Sequence, residues 1–141
     1  MADTVAKLEI SSELALKLVL YAVEHGRTRG WEVCASVCDS RGIQVALLRT
    51  DNVIDPAVGF AIDKAYTAAV LRRSTAEFAE RALSRPPLQL GLANRDRILV
   101  FPGGLPILSG GRCIGGIGVS GARDDEDVDC AQAALARCGL I

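Results

Sequence analysis

Residues 31–49 predict an antiparallel β-hairpin. From Trp31 to Val37 every second residue is apolar, which is the pattern of a strand with one apolar face. The Asp-Ser-Arg-Gly segment that follows is typical of a tight turn, with Gly42 in a left-handed conformation. Residues 43–49 then predict the return strand. A hairpin disfavours a Rossmann fold, because the strands of that fold are parallel and are joined by helices.

The rest of the chain predicts further elements in the overall order α-β-β-α-β-β-β-α. Asp55 and Pro56 open a second helix, which we expect to continue to about Leu83 and to be stopped by Pro86 and Pro87. The other predicted elements are a first helix at 13–27 capped by Ser11 or Ser12, strands at 97–101, 107–108 and 113–119, and a last helix at 124–137. This order predicts an α+β fold with an antiparallel, about five-stranded sheet flanked by helices.

Length and charge limit the classes of function. The chain has 141 residues, which we interpret as a single domain at 1–141. Its 16 basic and 17 acidic residues give a net charge of −1, which argues against a dedicated nucleic-acid binder. The longest apolar stretch, 18–23, is far shorter than a membrane span, and the first residues lack the pattern of a signal peptide. We therefore expect a cytoplasmic protein with no membrane partner.

A polar stripe runs along the second predicted helix. Phe60, Lys64, Thr67 and Leu71 follow one another at spacings of four, three and four, so they share one face. In a structural interpretation, the aliphatic part of Lys64 lies against the core edge and Thr67 bonds a backbone carbonyl. In a functional interpretation, Lys64 is a desolvated cation at a pocket wall, suited to a carboxylate or a propionate. The spacing leaves both interpretations open.

Two glycine-rich segments have different predicted roles. Gly103 and Gly104 lie between prolines in a rigid loop, whose backbone N–H groups can face a ligand. The second segment, 115–121, resembles a phosphate-binding loop, but the acidic run at 124–127 would repel a phosphate. Close backbone packing against the alanine-rich face of the second helix is the better explanation.

His25 and Arg49 are candidate ligand-binding residues outside that helix. His25 is the only histidine, and it ends an apolar stripe of the first helix. It is interpreted either as a boundary histidine that donates to a backbone carbonyl or as an axial haem ligand. Arg49 and Asp51 end the second strand, where they form either a mutual salt bridge or an arginine clamp for a carboxylate.

The five cysteines predict no metal site and no redox motif. No pair has the C-x-x-C spacing, and the chain has no H-x-x-H motif, so no metal ligand is assigned. Their apolar neighbours favour reduced, buried thiols that act as small hydrophobic groups. Cys113 follows Arg112, whose charge leaves a reactive thiol possible there.

Four motifs in sequence order resemble the GlcG/HbpS-like family, which includes the C-terminal domain of PduO. They are Arg49-Thr50-Asp51, Ala61-x-x-Lys64-Ala65-x-Thr67-Ala68, Gly103-Gly104-x-Pro106 and Gly115-x-x-Gly118-Val119-Ser120-Gly121. The chain departs from the family at Asn52, where glycine is common, and at Gly116, where alanine is frequent. The resemblance implies a five-stranded antiparallel sheet and homo-oligomers with clefts between subunits. It also implies that some members bind haem and that others accompany catabolic pathways.

Two functions of different classes follow. The first is an oligomeric small-ligand-binding protein, accessory to a catabolic pathway, whose ligand is a small carboxylate or haem. The predicted ligand-binding residues are Arg49, Asp51, Phe60, Lys64, Thr67, Gly103, Gly104 and Ser120, with His25 as the haem ligand candidate. The alternative is a cofactor-independent isomerase, deaminase or hydrolase acting on a carboxylated catabolite. Lys64 would be its acid/base or electrophile, with Thr67 beside it and Arg49 as the carboxylate clamp.

Overall fold

The computed structural model describes all 141 residues, Met1–Ile141. It contains five helices and four strands, in the order α-β-β-α-α-α-β-β-α. They are α1 (Ser12–Thr28), β1 (Cys34–Asp39), β2 (Gln44–Arg49), α2 (Asp55–Leu71), α3 (Thr75–Leu83), α4 (Pro86–Leu92), β3 (Gly104–Ser109), β4 (Arg112–Ser120) and α5 (Asp124–Arg137). The α+β class and the antiparallel sheet are confirmed, with four strands in place of about five.

The sheet consists of two hairpins that pair with each other. Its strand order is β2-β1-β4-β3, and every neighbouring pair is antiparallel. Gly42 in the first hairpin turn has a φ of 85°, as the sequence predicts. The second hairpin turns through Gly110 and Gly111, whose φ values of 56° and 78° favour glycine.

Helices cover both faces of the sheet. Helices α1 and α5 pack together on one face, and α2 packs on the other. The large core side chains lie on the α1 and α5 side, where Leu18 and Val19 meet Ile117 and Val119 of β4. The α2 side carries small residues instead, so the two faces are covered at different separations.

Glycines in β4 let α2 approach the sheet closely. A Cβ atom on Gly118 would lie 2.2 Å from the Ala61 carbonyl oxygen, and one on Gly116 would lie 2.3 Å from that of Ala65. Both distances are far below van der Waals contact, so no other residue fits there without moving the helix. The predicted packing of glycines against the alanine face is confirmed.

The two edges of the sheet differ in the hydrogen bonds that they leave free. At the β3 edge, Thr75 Oγ1 accepts from the N–H of Gly104 at 3.0 Å and donates to its carbonyl at 3.5 Å. Two residues further along this strand, Pro106 has no N–H to offer. At the opposite edge, β2 is partly exposed along its length and pairs only with β1. The β3 edge therefore lacks free groups for pairing with a further strand, whereas the β2 edge keeps them.

The prediction of one long second helix is wrong, because the helix is interrupted after Leu71. Arg72 adopts a left-handed conformation, with φ 57° and ψ 38°, which ends α2. Ser74 then caps α3 by accepting a hydrogen bond from the Glu77 N–H at 3.1 Å. Pro86 does not stop a helix but begins α4.

The prediction of a strand at 97–101 is also wrong. Thr67 Oγ1 on α2 donates to the Arg97 carbonyl and accepts from the Leu99 N–H, both at 2.9 Å. The Thr67 side chain thus binds the backbone groups that would otherwise pair with a neighbouring strand. In addition, Arg97 has a φ of 70°, which interrupts an extended chain. This segment is consequently a loop over α2.

A pair of glycine substitutions tests the close approach. We expect Gly118→Ala to lower the unfolding free energy by about 1–3 kcal/mol, because its Cβ would overlap the Ala61 carbonyl. Gly59→Ala, at an exposed position of α2 with nothing within 4 Å, should raise it by about 0.5–1 kcal/mol. Urea denaturation measures both. A Gly118→Ala variant as stable as the wild type would contradict the packing.

Candidate functional site

Lys64 is fully enclosed and paired with a carboxylate from α5. Its side chain is 2% exposed, and Nζ donates to Asp127 Oδ2 at 3.0 Å and to the Val119 carbonyl at 2.9 Å. The second carboxylate oxygen of Asp127 accepts from the Ala122 N–H at 3.0 Å. Lys64 therefore links α2, the end of β4 and the start of α5, and its amine does not reach solvent.

The loop glycines make room for this pair. Gly103 has a φ of 127°, and a Cβ there would lie 2.5 Å from the Val119 carbonyl oxygen and 2.9 Å from Lys64 Nζ. A Cβ on Gly104 would lie 2.5 Å from the Lys64 carbonyl oxygen. These glycines lie directly against Lys64, and the Gly104 N–H is bound by Thr75.

Burial dominates the electrostatics of Asp127. Loss of solvent raises its pKa to about 6, and the neighbouring Lys64 and the bond from Ala122 offset only part of that effect. We did not predict this residue as part of the site, because it lies in an acidic run that marks a helix start. Its spacing from Cys130 and Ala134 could have indicated that Asp127 is buried, because the three residues share one face of α5.

Arg49 and Ser120 lie at the same end of the sheet. They flank Cys34 on either side, since β1 pairs Cys34 with Arg49 of β2 and with Ser120 of β4. Arg49 donates to the carbonyls of Thr50 and Asp51, both at 3.2 Å, and forms no ion pair with the Asp51 carboxylate. Ser120 is buried, whereas Asp51 is exposed.

The outer part of the α2 stripe is aromatic. Phe60 is 37% exposed and meets Phe101 of the loop edge-to-face, with ring centroids 5.7 Å apart. Thr67, further along the stripe, is buried and holds the 97–99 backbone. The stripe therefore passes from an exposed aromatic pair at Phe60 to enclosed polar groups at Lys64 and Thr67.

His25 lies in a separate groove between α1 and α5. The groove has a volume of about 430 Å³ and is lined by Tyr21, Glu24, His25, Arg27, Thr28, Ala133 and Arg137. His25 Nε2 is 2.7 Å from Asp129 Oδ2, and Nδ1 is 3.4 Å from an Arg29 guanidinium nitrogen. The imidazole is thus oriented by a side-chain carboxylate and not by a backbone carbonyl.

The cysteines are free, and three of them are deeply buried. Burial raises the pKa of Cys34 to about 11 and those of Cys38 and Cys130 to about 12. Such thiols stay protonated at neutral pH and are poor nucleophiles. Cys113 is only half-buried, and its Sγ lies 3.3 Å from the Gly115 carbonyl oxygen.

None of the five helices combines the length and the apolar character that a bilayer crossing requires.

Comparison with known proteins finds one family over nearly the whole chain. Residues 10–136 match the HbpS-like family, described as haem degrading protein HbpS-like. An uncharacterized 15.0 kDa protein in the dhaT-dhaS intergenic region of Citrobacter freundii is 36% identical over 104 residues, 73% of each chain. GlcG of Escherichia coli K12 is 29% identical over 114 residues, 81% of this chain and 83% of GlcG.

Solved structures share the fold. The crystal structure of ORFY from Klebsiella pneumoniae has a TM-score of 0.92 at 27% identity and covers 100% of this chain and 98% of ORFY. The crystal structure of a PduOC:heme complex has a TM-score of 0.83, also at 27% identity, and covers 92% of this chain and 94% of PduOC.

Truncation of Lys64 tests the buried pair. We expect Lys64→Ala to lower the unfolding free energy by about 3–5 kcal/mol, because it leaves the Asp127 carboxylate buried without its partner. The double variant Lys64→Met, Asp127→Leu should recover most of that loss, since it removes both charges. Urea denaturation measures both variants. A single variant as stable as the wild type would contradict the pairing.

The pH dependence of stability tests the raised pKa of Asp127. An aspartate in an unfolded chain titrates near pH ~3.9, so between that pH and about 6 only the native state holds the extra proton. The stability that this carboxyl contributes is therefore fully present below about pH 4 and is lost as the pH rises through 6. We expect the wild type to gain stability relative to Asp127→Asn when the pH falls from about 7 to about 5. A relative loss on acidification would contradict the direction.

Proposed function

The chain belongs to the HbpS-like family, as its motifs predicted, and we propose that it binds haem through His25. The family description and the haem complex of PduOC support haem as the ligand class. The observation that carries the proposal is the groove between α1 and α5, where the only histidine faces a cavity beside two arginines.

The hydrogen bonding of His25 fits a metal ligand. Histidines that bind metals commonly hold a carboxylate with their second ring nitrogen, which fixes the ring and raises its basicity. Asp129 occupies that position at Nε2, which leaves Nδ1 for iron. Arg29 lies beside Nδ1 and also pairs with Asp129 at 3.7 Å, so iron at Nδ1 would have to displace this guanidinium, whose side chain is 45% exposed.

Arg27 is the residue of the groove that fits a propionate of haem, because it has no carboxylate partner. Arg137, at the groove wall, already donates to Glu24 Oε2 at 2.8 Å and lies 3.8 Å from the centre of the Tyr21 ring, so a propionate there would have to displace Glu24. A guanidinium binds a carboxylate through two parallel hydrogen bonds. Haem would supply a redox-active iron, while these residues would hold and orient it.

The groove is too open to enclose a porphyrin alone. Only Tyr21 and Ala133 of its seven lining residues are hydrophobic, and one face of the ring would stay uncovered. The neighbouring surface of α1 exposes Leu16 and Leu20, which lie one turn apart. We infer that a second copy of the chain packs on this surface and covers the open face, as in the homo-oligomer that the resemblance implies.

A small carboxylate bound at Lys64 has less support. The ammonium group is already bonded to Asp127 and the Val119 carbonyl, and a ligand would have to displace one of them. The same enclosure disfavours the alternative of an enzyme that uses Lys64 as acid/base. The ligand role of Arg49, Asp51, Phe60, Thr67, Gly103, Gly104 and Ser120 remains a prediction, as does the accessory role in a catabolic pathway.

A hemin titration followed by absorbance tests the assignment to His25. We expect a saturable Soret shift in the wild type that is lost in His25→Ala. Asp129→Asn should keep the shift but weaken hemin affinity by about 10–100-fold, because it removes the group that orients the ring.

Cys113→Ser is the matched control, because that half-buried thiol is an alternative ligand in another part of the molecule. It should titrate like the wild type. A flat response of the wild type would overturn haem binding. A shift that survives in His25→Ala, or that is lost in Cys113→Ser, would overturn the assignment to His25 alone.

A further inference from the structure

A second groove lies on a different part of the molecule from His25. It has a volume of about 510 Å³ and is bordered by the segment before α1, the β1–β2 turn, the end of α2 and the β3–β4 hairpin. None of its lining residues belongs to the His25 groove. Its volume falls in the range of sites for small ligands, about 300–1,000 Å³.

Four cationic side chains line this groove. Lys7, Arg41, Arg72 and Arg112 come from four separate segments of the chain. Only Arg41 has a carboxylate partner, Asp39 at 3.6 Å, while the other three form no ion pair. Like charges gathered around one groove repel one another, and a bound anion would relieve that repulsion.

The neighbouring carboxylates of Glu9 and Asp39 bind the β1–β2 turn, apart from the pairing of Asp39 Oδ2 with Arg41. Glu9 accepts from the Ser40 N–H at 2.8 Å and from the Ser40 hydroxyl. Asp39 Oδ1 accepts from the N–H groups of Arg41 and Ile43, at 2.9 and 3.0 Å. Both carboxylates therefore fix the β1–β2 turn, and neither closes the groove to an anion.

Arg72 is held at the groove by an unfavourable backbone conformation. Its φ of 57° lies in the left-handed region, where a glycine is usual at the end of a helix. A glycine there would remove both the strain and the guanidinium. The arginine thus stands directly after α2, at the point where the chain leaving this helix borders the groove.

We propose that this groove binds a small ligand that carries two or more phosphate or carboxylate groups. Lys7, Arg72 and Arg112 bind the anionic groups, and Leu8 and Leu108 contact the apolar part of the ligand. Leu8 and Leu108 are both exposed, so this apolar surface is open to a ligand. The site is independent of haem binding at His25.

Calorimetric titration with pyrophosphate and with citrate at low salt tests this site. We expect saturable binding of one anion per chain, weakened at least about tenfold in Arg112→Glu and in Lys7→Glu. The anion that binds more tightly identifies the preferred group. His25→Ala should bind the anion like the wild type, which separates this site from the haem proposal.

Lys17→Glu is the matched control, since it reverses an exposed charge of α1 outside the groove. Its affinity should stay within about twofold of the wild type. The absence of saturable binding of either probe up to about 10 mM would overturn the proposal. So would unchanged binding in both groove variants, or a loss in Lys17→Glu equal to theirs, because that would reflect net charge alone.

Discussion

The close contact between the backbones of α2 and β4 is the constraint on which the rest of the structure depends. Gly116 and Gly118 leave no side chain between the strand and the helix, so the carbonyls of Ala61 and Ala65 lie almost on the sheet. Lys64 lies between Ala61 and Ala65 on α2, so this contact also sets how far the Lys64 side chain lies from the protein surface. A bulkier strand would push α2 outward and would leave the ammonium group short of Asp127.

The buried pair of Lys64 and Asp127 joins the two helical layers past the end of the sheet. Helices α2 and α5 cover opposite faces, and this bond and the loop of Gly103 and Gly104 connect them where β4 ends. A buried ion pair is seldom a large net source of stability, since both charges lose their hydration. This pair instead fixes the relative position of α2 and α5, because each charge can be buried only next to the other one.

Sequence reasoning succeeded where a local pattern decides the structure. The hairpin turn at Gly42 and the final helix depend on neighbouring residues and were predicted. The glycine–alanine packing joins distant segments, but each of them shows its own local run of small residues, so it was predicted too. It failed where a distant partner decides. Thr67 takes the backbone groups of residues 97–99, and Asp127 meets a lysine 63 positions away in the chain. The break at Arg72 was missed for another reason, because arginine rarely adopts the conformation that ends α2 there.

The unequal edges of the sheet limit how copies of this chain can assemble. Along β3, Thr75 and Pro106 remove the hydrogen-bonding groups that an incoming strand would need, while β2 keeps its groups free. A sheet with two open edges can add strands without end, as in a fibre. A sheet with one open edge can join a second copy only once, and the joined sheet then presents two blocked edges. Strand pairing between copies is thus confined to the β2 edge, so the sheet itself cannot be extended without end.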